Sequence, residues 1–385
     1  MIVANRYNLV MRIPFTGTYR TLNRVMISSD SLIHNIELYK KLLPNQAICP
    51  VLKSNAYGHG LLEVAQVLDP LNLAFLVVDS LYEAYELQKA GIRSDILILG
   101  YTFPENLVRK KLPFHFAVSD WETLEILARQ GAKIHLKLDT GMNRMGFTLD
   151  ELPEVLKKMK LLDVELVGLL THFADADNAL DDQYTVMQMK QFQEAIALVH
   201  RAGFSPKWFH GGGASGAAII PDGKTLNMVR LGLGMYGISP FDHVDSRYPY
   251  LKDLKPVMEV RSTLVGLRPL KAGDRVSYNG VFEADRDMVV GIMPFGYYEG
   301  LPRVLSGKGF VEVKGIACPV VGRICMNYSM VDVSKVLDVE VGDEVVVISS
   351  QFEKMNTFQK LAQLEETIPY ELMVRMAQSI RREVV

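Results

Sequence analysis

From about residue 28 to about residue 250 the sequence alternates short β-branched or aliphatic runs with amphipathic stretches at helical spacing, a pattern that few folds accept. The apolar runs are AICPVLK (47–53), AFLVVD (74–79), DILILG (95–100), FHFAVS (114–119), KIHLKLD (133–139), ELVGLLTHF (165–173), WFHGGG (208–213) and NMVRLG (227–232). Helical patterns such as SLYEAYELQKAG and WETLEILARQG lie between them, several stopped by glycine. A first helix, capped near Ser29 or Ser31, leads in through LIHNIELYKKLL. Eight strand candidates with intervening helices over roughly 200 residues predict an α/β chain with a (β/α)8 barrel at 28–250.

After residue 250 the texture changes. Strand-like runs such as DMVVGIM, GFVEV, CPVVG and EVVVIS are separated by Gly-Asp turns, and long helical patterns vanish until the last 30 residues. Residues 251–385 read as a second, mostly β domain, joined by a strand from residues 1–27. Arg6, Arg12, Arg20 and Arg24 all precede the first acidic residue, Asp30. Residues 1–29 are therefore Arg-rich and acid-poor like a targeting leader, and the alternative is an N-terminal strand preceded by an irregular extension, with Met11 as an alternative start.

Composition narrows the partners. Lys+Arg total 42 against Asp+Glu 44, so no basic field exists to hold nucleic acid or an anionic membrane. No uncharged apolar run approaches the ~20 residues needed to cross a bilayer. Cys49, Cys318 and Cys325 have neither disulfide-framework nor zinc-site spacing. A soluble cytoplasmic protein acting on a small molecule is expected.

Chemistry in a barrel collects at the C-terminal ends of its strands. Lys53 ends the first run, inside VLKSNAYGHG, and is either a reactive amine or a snorkelling surface residue, because an unpaired charge entering an apolar strand end is costly. In KIHLKLD, alternation puts His135, Lys137 and Asp139 on one face and Ile134, Leu136 and Leu138 on the other. TGMNRMGF then brings Arg144 to the loop, and a plain salt-bridge cluster is the competing account of Lys137 and Asp139. His172, Asp175 and Asp177 have metal-like spacing, but no second cluster completes a coordination sphere. No metal is expected, and His172 reads as a group near the chemistry or a satisfied polar residue.

HGGGASGA formally contains G-x-G-x-x-G at Gly211, Gly213 and Gly216, yet it sits on the seventh run and no acid follows about 20 positions on, which argues against a dinucleotide fold. Its amide-rich loop with Ser215, and a second loop at RLGLGMYG (230–237), suit a phosphate. A reactive lysine, a phosphate cradle and an arginine just before that cradle jointly suggest pyridoxal phosphate: imine on Lys53, phosphate at Ser215 and Gly232, ring nitrogen facing Arg230.

The segments VLKSNAYGHG, LKLDTGMNRMGF, THFADAD, GGGASGA, VRLGLGMYGISP, VSYNG, GYYEGLPR and GRICMNY, in this order, resemble the alanine racemase family of fold-type III pyridoxal-phosphate enzymes. The likeness runs from about residue 24 to 377. It implies that Lys53 carries the cofactor and is one of two bases, with Tyr57, Ser215, Gly232, Leu233 and Tyr370 around the phosphate. It also implies that Arg230 faces the pyridine nitrogen and Arg144 the phenolic oxygen, and it marks Lys137 as a candidate for carbamylation that orients Arg144. Tyr278 would be the second base, supplied by the other subunit of a homodimer, with His172 near it. Met326 matches a partner-chain residue near the substrate carboxylate and Tyr297 an inner gate of the access channel. The implied product is D-alanine for peptidoglycan.

Three positions depart from the family pattern: Asn279 stands where Gly is usual, Glu299 where Asp is usual, and Asn327-Tyr328 where Asp-Gln is usual. They leave the bases intact and open the substrate to alanine, serine or a larger amino acid. A fold-type III decarboxylase would carry a Cys-bearing active-site motif and an EPGR-like loop, neither of which is present. A pyridoxal-phosphate carrier would leave the second domain and Tyr278 without purpose.

Overall fold

The computed structural model describes residues 19–109, 111–176, 178, 181–213, 225–239 and 249–385. Each of the eight apolar runs holds a strand: Ala47–Pro50, Leu76–Val78, Ile96–Ile98, His115–Val118, Lys133–Lys137, Leu166–Leu170, Trp208–His210 and Met228–Leu231. Neighbours from Leu76–Val78 through Trp208–His210 pair in parallel in chain order. Ala47–Pro50 pairs in parallel with Met228–Leu231 and reaches the second strand through the Val51–Val77 bridge. Bonds from Asn227 N to Phe209 O and from Arg230 N to Gly212 O join the last two strands. The expected barrel is closed.

Strand alternation sorts the side chains into two cores. Ile48, Leu76, Ile96, Ile134 and Leu169 pack outward in the large core beneath the helices. Cys49, Val51, Phe75, Val77, Leu97 and Met228 form a separate apolar cluster inside one half of the barrel. The other half is polar. His115, His135, Lys137, His210 and Arg230 are all buried there.

Local chemistry sets the helix starts. The first helix, Ser29–Leu42, is capped by Ser28 rather than by Ser29 or Ser31, because Ser28 is the residue in extended conformation and its Oγ accepts from Ser31 N at 3.1 Å. Ser80 and Glu83 form a reciprocal capping box at Leu81–Lys89.

The second unit is a nine-stranded sheet ordered Gly266–Leu270, Met288–Met293, Ser329–Asp332, Ile316–Val321, Phe310–Val313, Glu344–Ile348, Met258–Thr263, Arg24–Ile27 and Arg381–Val384. The early strand Arg24–Ile27 lies antiparallel to Met258–Thr263 and parallel to Arg381–Val384. The two units meet beside Lys53. A Cβ on Gly58, at φ 82°, would lie 2.0 Å from Met373 O, and Arg382 Nη2 donates to Gly58 O at 2.9 Å.

Candidate active site

The chain after Lys53 does something unusual: Ser54, Asn55, Ala56 and Tyr57 all have positive φ, between 51° and 57°. A left-handed turn costs a non-glycine residue about 1–2 kcal/mol, so neighbours must hold it. Ser54 N donates to Glu83 Oε1 at 2.7 Å, and Leu61 N donates to Asn55 Oδ1 at 2.8 Å. Ala56 N bonds Leu52 O and Gly60 N bonds Asn55 O. The helix-capping Glu83 thus also fixes the lysine's loop.

Lys53 lines a cavity of about 910 Å³ at the C-terminal mouth of the barrel. Lys137, Arg144, His172 and Arg230 line it from neighbouring strand ends, and Tyr57, Gly232, Leu233 and Tyr370 line the side toward the second unit. Tyr370 belongs to the helix Pro369–Val374, and its ring lies 5.8 Å from that of Tyr57. Nine of the expected site residues therefore share one cavity.

Arg230 is buried at 5% exposure and held on several sides. Its Nη1 donates to His210 Nδ1 at 2.7 Å and its Nη2 to Thr171 O at 2.9 Å, with His172 Nδ1 at 3.3 Å. Burial brings its pKa down to about 10, so it remains cationic at neutral pH. Among the described residues it has no carboxylate partner. His172 is brought down to about 3, by burial first and then by Arg230, Arg144 and Lys53, and is neutral. Burial and the charges of Arg144 and Arg230 lower Lys137 to about 8.

Asp139 is not a cavity group. Its Oδ1 accepts from Gly141 N and Asn143 N, and its Oδ2 from Arg144 N at 3.0 Å, so it folds the loop that presents Arg144. Asp175 accepts from Asn178 and is likewise outside the cavity lining. Ser215 and Asp177 lie outside the described residues. Asp79, Glu366 and Glu371 line the cavity although no motif pointed to them. For Asp79 the signal was its place at the end of AFLVVD, equivalent to that of Lys53.

Tyr278, Tyr297 and Met326 do not reach this cavity. They are 65%, 43% and 55% exposed, on loops of the second unit. Tyr278 opens a tight turn, Tyr278–Gly280, between Ser277 at φ 67° and Asn279 at φ 62°. Tyr297 N bonds Cys325 O, and Tyr298 N bonds Met326 O, so the Tyr297 and Met326 loops are laced together.

A closed barrel with a cation-rich mouth, covered on one side by a helix from a β domain, defines a two-domain barrel enzyme. The model of the alanine racemase N-terminal domain matches residues 27–240, and that of the C-terminal domain residues 257–384. Alanine racemase 2 of Caldanaerobacter subterraneus subsp. tengcongensis is 35% identical over 369 residues, covering 93% of this chain and 94% of that protein. The alanine racemase of Leptospira interrogans is 33% identical over 375 residues, 94% of this chain and 95% of its own. Among solved structures, alanine racemase from Streptomyces lavendulae superposes with a TM-score of 0.87 at 28% identity, covering 96% of this chain and 98% of that one. The chain belongs to the alanine racemase family of isomerases.

Proposed function

We propose that the protein interconverts L- and D-alanine with pyridoxal phosphate on Lys53, using Lys53 and Tyr278 of the partner subunit as bases on opposite faces of the substrate. Removing a proton from one face of Cα and returning one to the other needs two such groups. The cavity suits this cofactor. Gly213 and Gly232 line it bare at the ends of adjacent strands, and a Cβ on Gly232 would lie 2.9 Å from the Tyr57 hydroxyl, so the absence of a side chain there leaves room for a phosphate beside Tyr57. When bound, pyridoxal phosphate withdraws electron density from Cα and acidifies its proton.

The chain's own groups supply the rest. Arg230, fixed by carbonyls and His210, keeps a full positive charge that would stand toward the ring nitrogen and disfavour its protonation. Arg144, in the same cavity lining, would serve the phenolic oxygen. Lys137, with its lowered pKa, is a candidate for carbamylation that steadies Arg144. The D-alanine would serve peptidoglycan synthesis in the cytoplasm.

The observation that carries this reading is the separation of the bases: Lys53 lines the cavity, whereas Tyr278 lies outside it, 65% exposed. A shared site in a two-fold dimer reconciles them. Co-expressed Lys53→Ala and Tyr278→Phe chains pair at random, so about half the dimers are mixed. Each mixed dimer holds one intact site, restoring about a quarter of wild-type activity. No recovered activity, with mixed dimers present by mass, would overturn the shared site.

A further inference from the structure

An arginine side chain cannot accept a hydrogen bond, and from this the proton positions of three rings follow. Arg230 Nη1 donates to His210 Nδ1 at 2.7 Å, so that nitrogen carries a lone pair and the His210 proton sits on Nε2. His210 Nε2 lies 3.0 Å from His135 Nδ1, which must therefore accept. His135 Nε2 then donates to His115 Nδ1 at 3.1 Å, leaving the last proton on His115 Nε2, with Asp95 Oδ2 beyond it at 3.9 Å. All three rings are buried, which keeps them neutral: His115 is lowered to about 4, and His135 and His210 well below the ordinary value.

We infer that this file of imidazoles is a tautomer relay that holds Arg230 in place, with His135 and His115 as positioning residues acting through His210. Every lone pair in the file points toward Arg230 and every N–H away from it, so three aligned dipoles stand where a carboxylate would otherwise be needed. A carboxylate would hold the guanidinium as firmly but would cancel its charge. The neutral relay leaves that charge facing the cavity. Two features show that the barrel is built around the file. A Cβ on Gly168 would lie 2.2 Å from His135 Nδ1, so a glycine stands where that ring needs room. Phe75 meets His115 and His135 edge-on at centroid distances of 4.7 and 5.5 Å and limits their rotation.

The catalytic consequence rests on the reading of Arg230 given above, and the relay itself does not. Neutron diffraction from deuterated crystals of the loaded enzyme reads the protons directly. Deuterium is expected on Nε2 and not on Nδ1 of His210, His135 and His115, and deuterium on Nδ1 of any one overturns the relay. His135→Leu deprives His210 of its acceptor, whereas His135→Gln keeps an acceptor and a donor at that place. In crystals of the Leu variant the Arg230 guanidinium is expected to shift or lose definition, and the ratio of transamination to racemisation to rise about fivefold, as losing one buried hydrogen bond would give. The Gln variant is expected to return both toward wild type. An unmoved Arg230 in the Leu variant would also overturn the relay, and if that variant does not fold, the wild-type deuterium positions decide alone. A displaced Arg230 with an unchanged product ratio leaves the relay standing and removes instead the reading of Arg230 against the cofactor ring.

Discussion

Asn327 donates from Nδ2 to Glu299 Oε1 at 2.8 Å, and the other oxygen of Glu299 accepts from Gly296 N at the same distance. Two of the three departures from the family pattern are thus one hydrogen-bonded pair, a buried Glu299 met by an exposed Asn327, clipping the Tyr297 loop to the Met326 loop. Asn327→Asp replaces a donor with a second carboxylate beside Glu299, 8% exposed, and because residue 327 itself is exposed the expected cost is about 1 kcal/mol at pH 7.5. The carboxyl pair would have a raised pKa, so the loss should shrink as pH falls and the two share a proton. Thermal unfolding of both proteins at pH 7.5 and 5.5 checks this, and a deficit that grows on acidification would contradict it.

Substrate choice is expected to follow the pair rather than either member. Glu299→Asp and Asn327→Asp together, with Asn279→Gly, should shift relative kcat/KM among alanine, serine and larger amino acids. Asn279→Gly alone should be nearly neutral for stability, because φ 62° suits both residues. An unchanged substrate profile in the triple variant would mean that these positions do not select the substrate.

Arg230→Glu would put a carboxylate against the carbonyls of Thr171 and His210. A loss of about 3–5 kcal/mol is expected for that buried reversal, with racemisation falling and transamination rising in whatever folds. Chiral analysis of products alongside keto-acid formation gives the ratio, and an unaltered ratio in folded protein would remove the role assigned to this arginine.

Five histidines are neutral in the fold, four of them buried and His172 partly so: His59 and His172 are lowered to about 3, His115 to about 4, and His135 and His210 well below 6.5. Unfolded, each takes up a proton near pH 6.5. Folded values below unfolded ones mean stability that is complete above about pH 6.5 and is lost as pH falls toward the folded values, by up to about 1.4 kcal/mol per pH unit per ring. Calorimetry near pH 5 should register uptake of about five protons on unfolding from these rings. An uptake near zero would mean that the rings are already charged in the native protein.

With a pKa of about 8, roughly a tenth of Lys137 is unprotonated at pH 7, enough for reaction with carbon dioxide. Intact mass under native conditions at pH 8.5 with bicarbonate should show the added mass of one carbon dioxide, lost on acidification and absent from Lys137→Arg. The same gain in both proteins would place the modification elsewhere.

The eight barrel strands were legible because strands buried on both faces read as apolar runs. Arg381–Val384 was not, since an edge strand spelled RREV carries no apolar signal, and its register comes from Arg24–Ile27 across the whole chain. The cavity residues on strand ends were legible from position plus resemblance. The left-handed turn at Ser54–Tyr57 was not, because no glycine marks it and Glu83 and Asn55 hold it from outside. The pairing of Glu299 with Asn327 and the file of His115, His135 and His210 join residues far apart in sequence, and nothing in either local pattern links them.

The strand Arg24–Ile27 has its two neighbours at Met258–Thr263 and Arg381–Val384, and Val385 bonds back to Ile27 O and Ser29 N. During synthesis this strand leaves the ribosome ahead of the entire barrel, and its parallel neighbour emerges hundreds of residues later. The barrel can close while the sheet still lacks a member. Until then four residues with unpaired strand edges are open to other chains, so the β unit is the last to mature and its completion sets when a newborn chain stops being a target for wrong strand pairing.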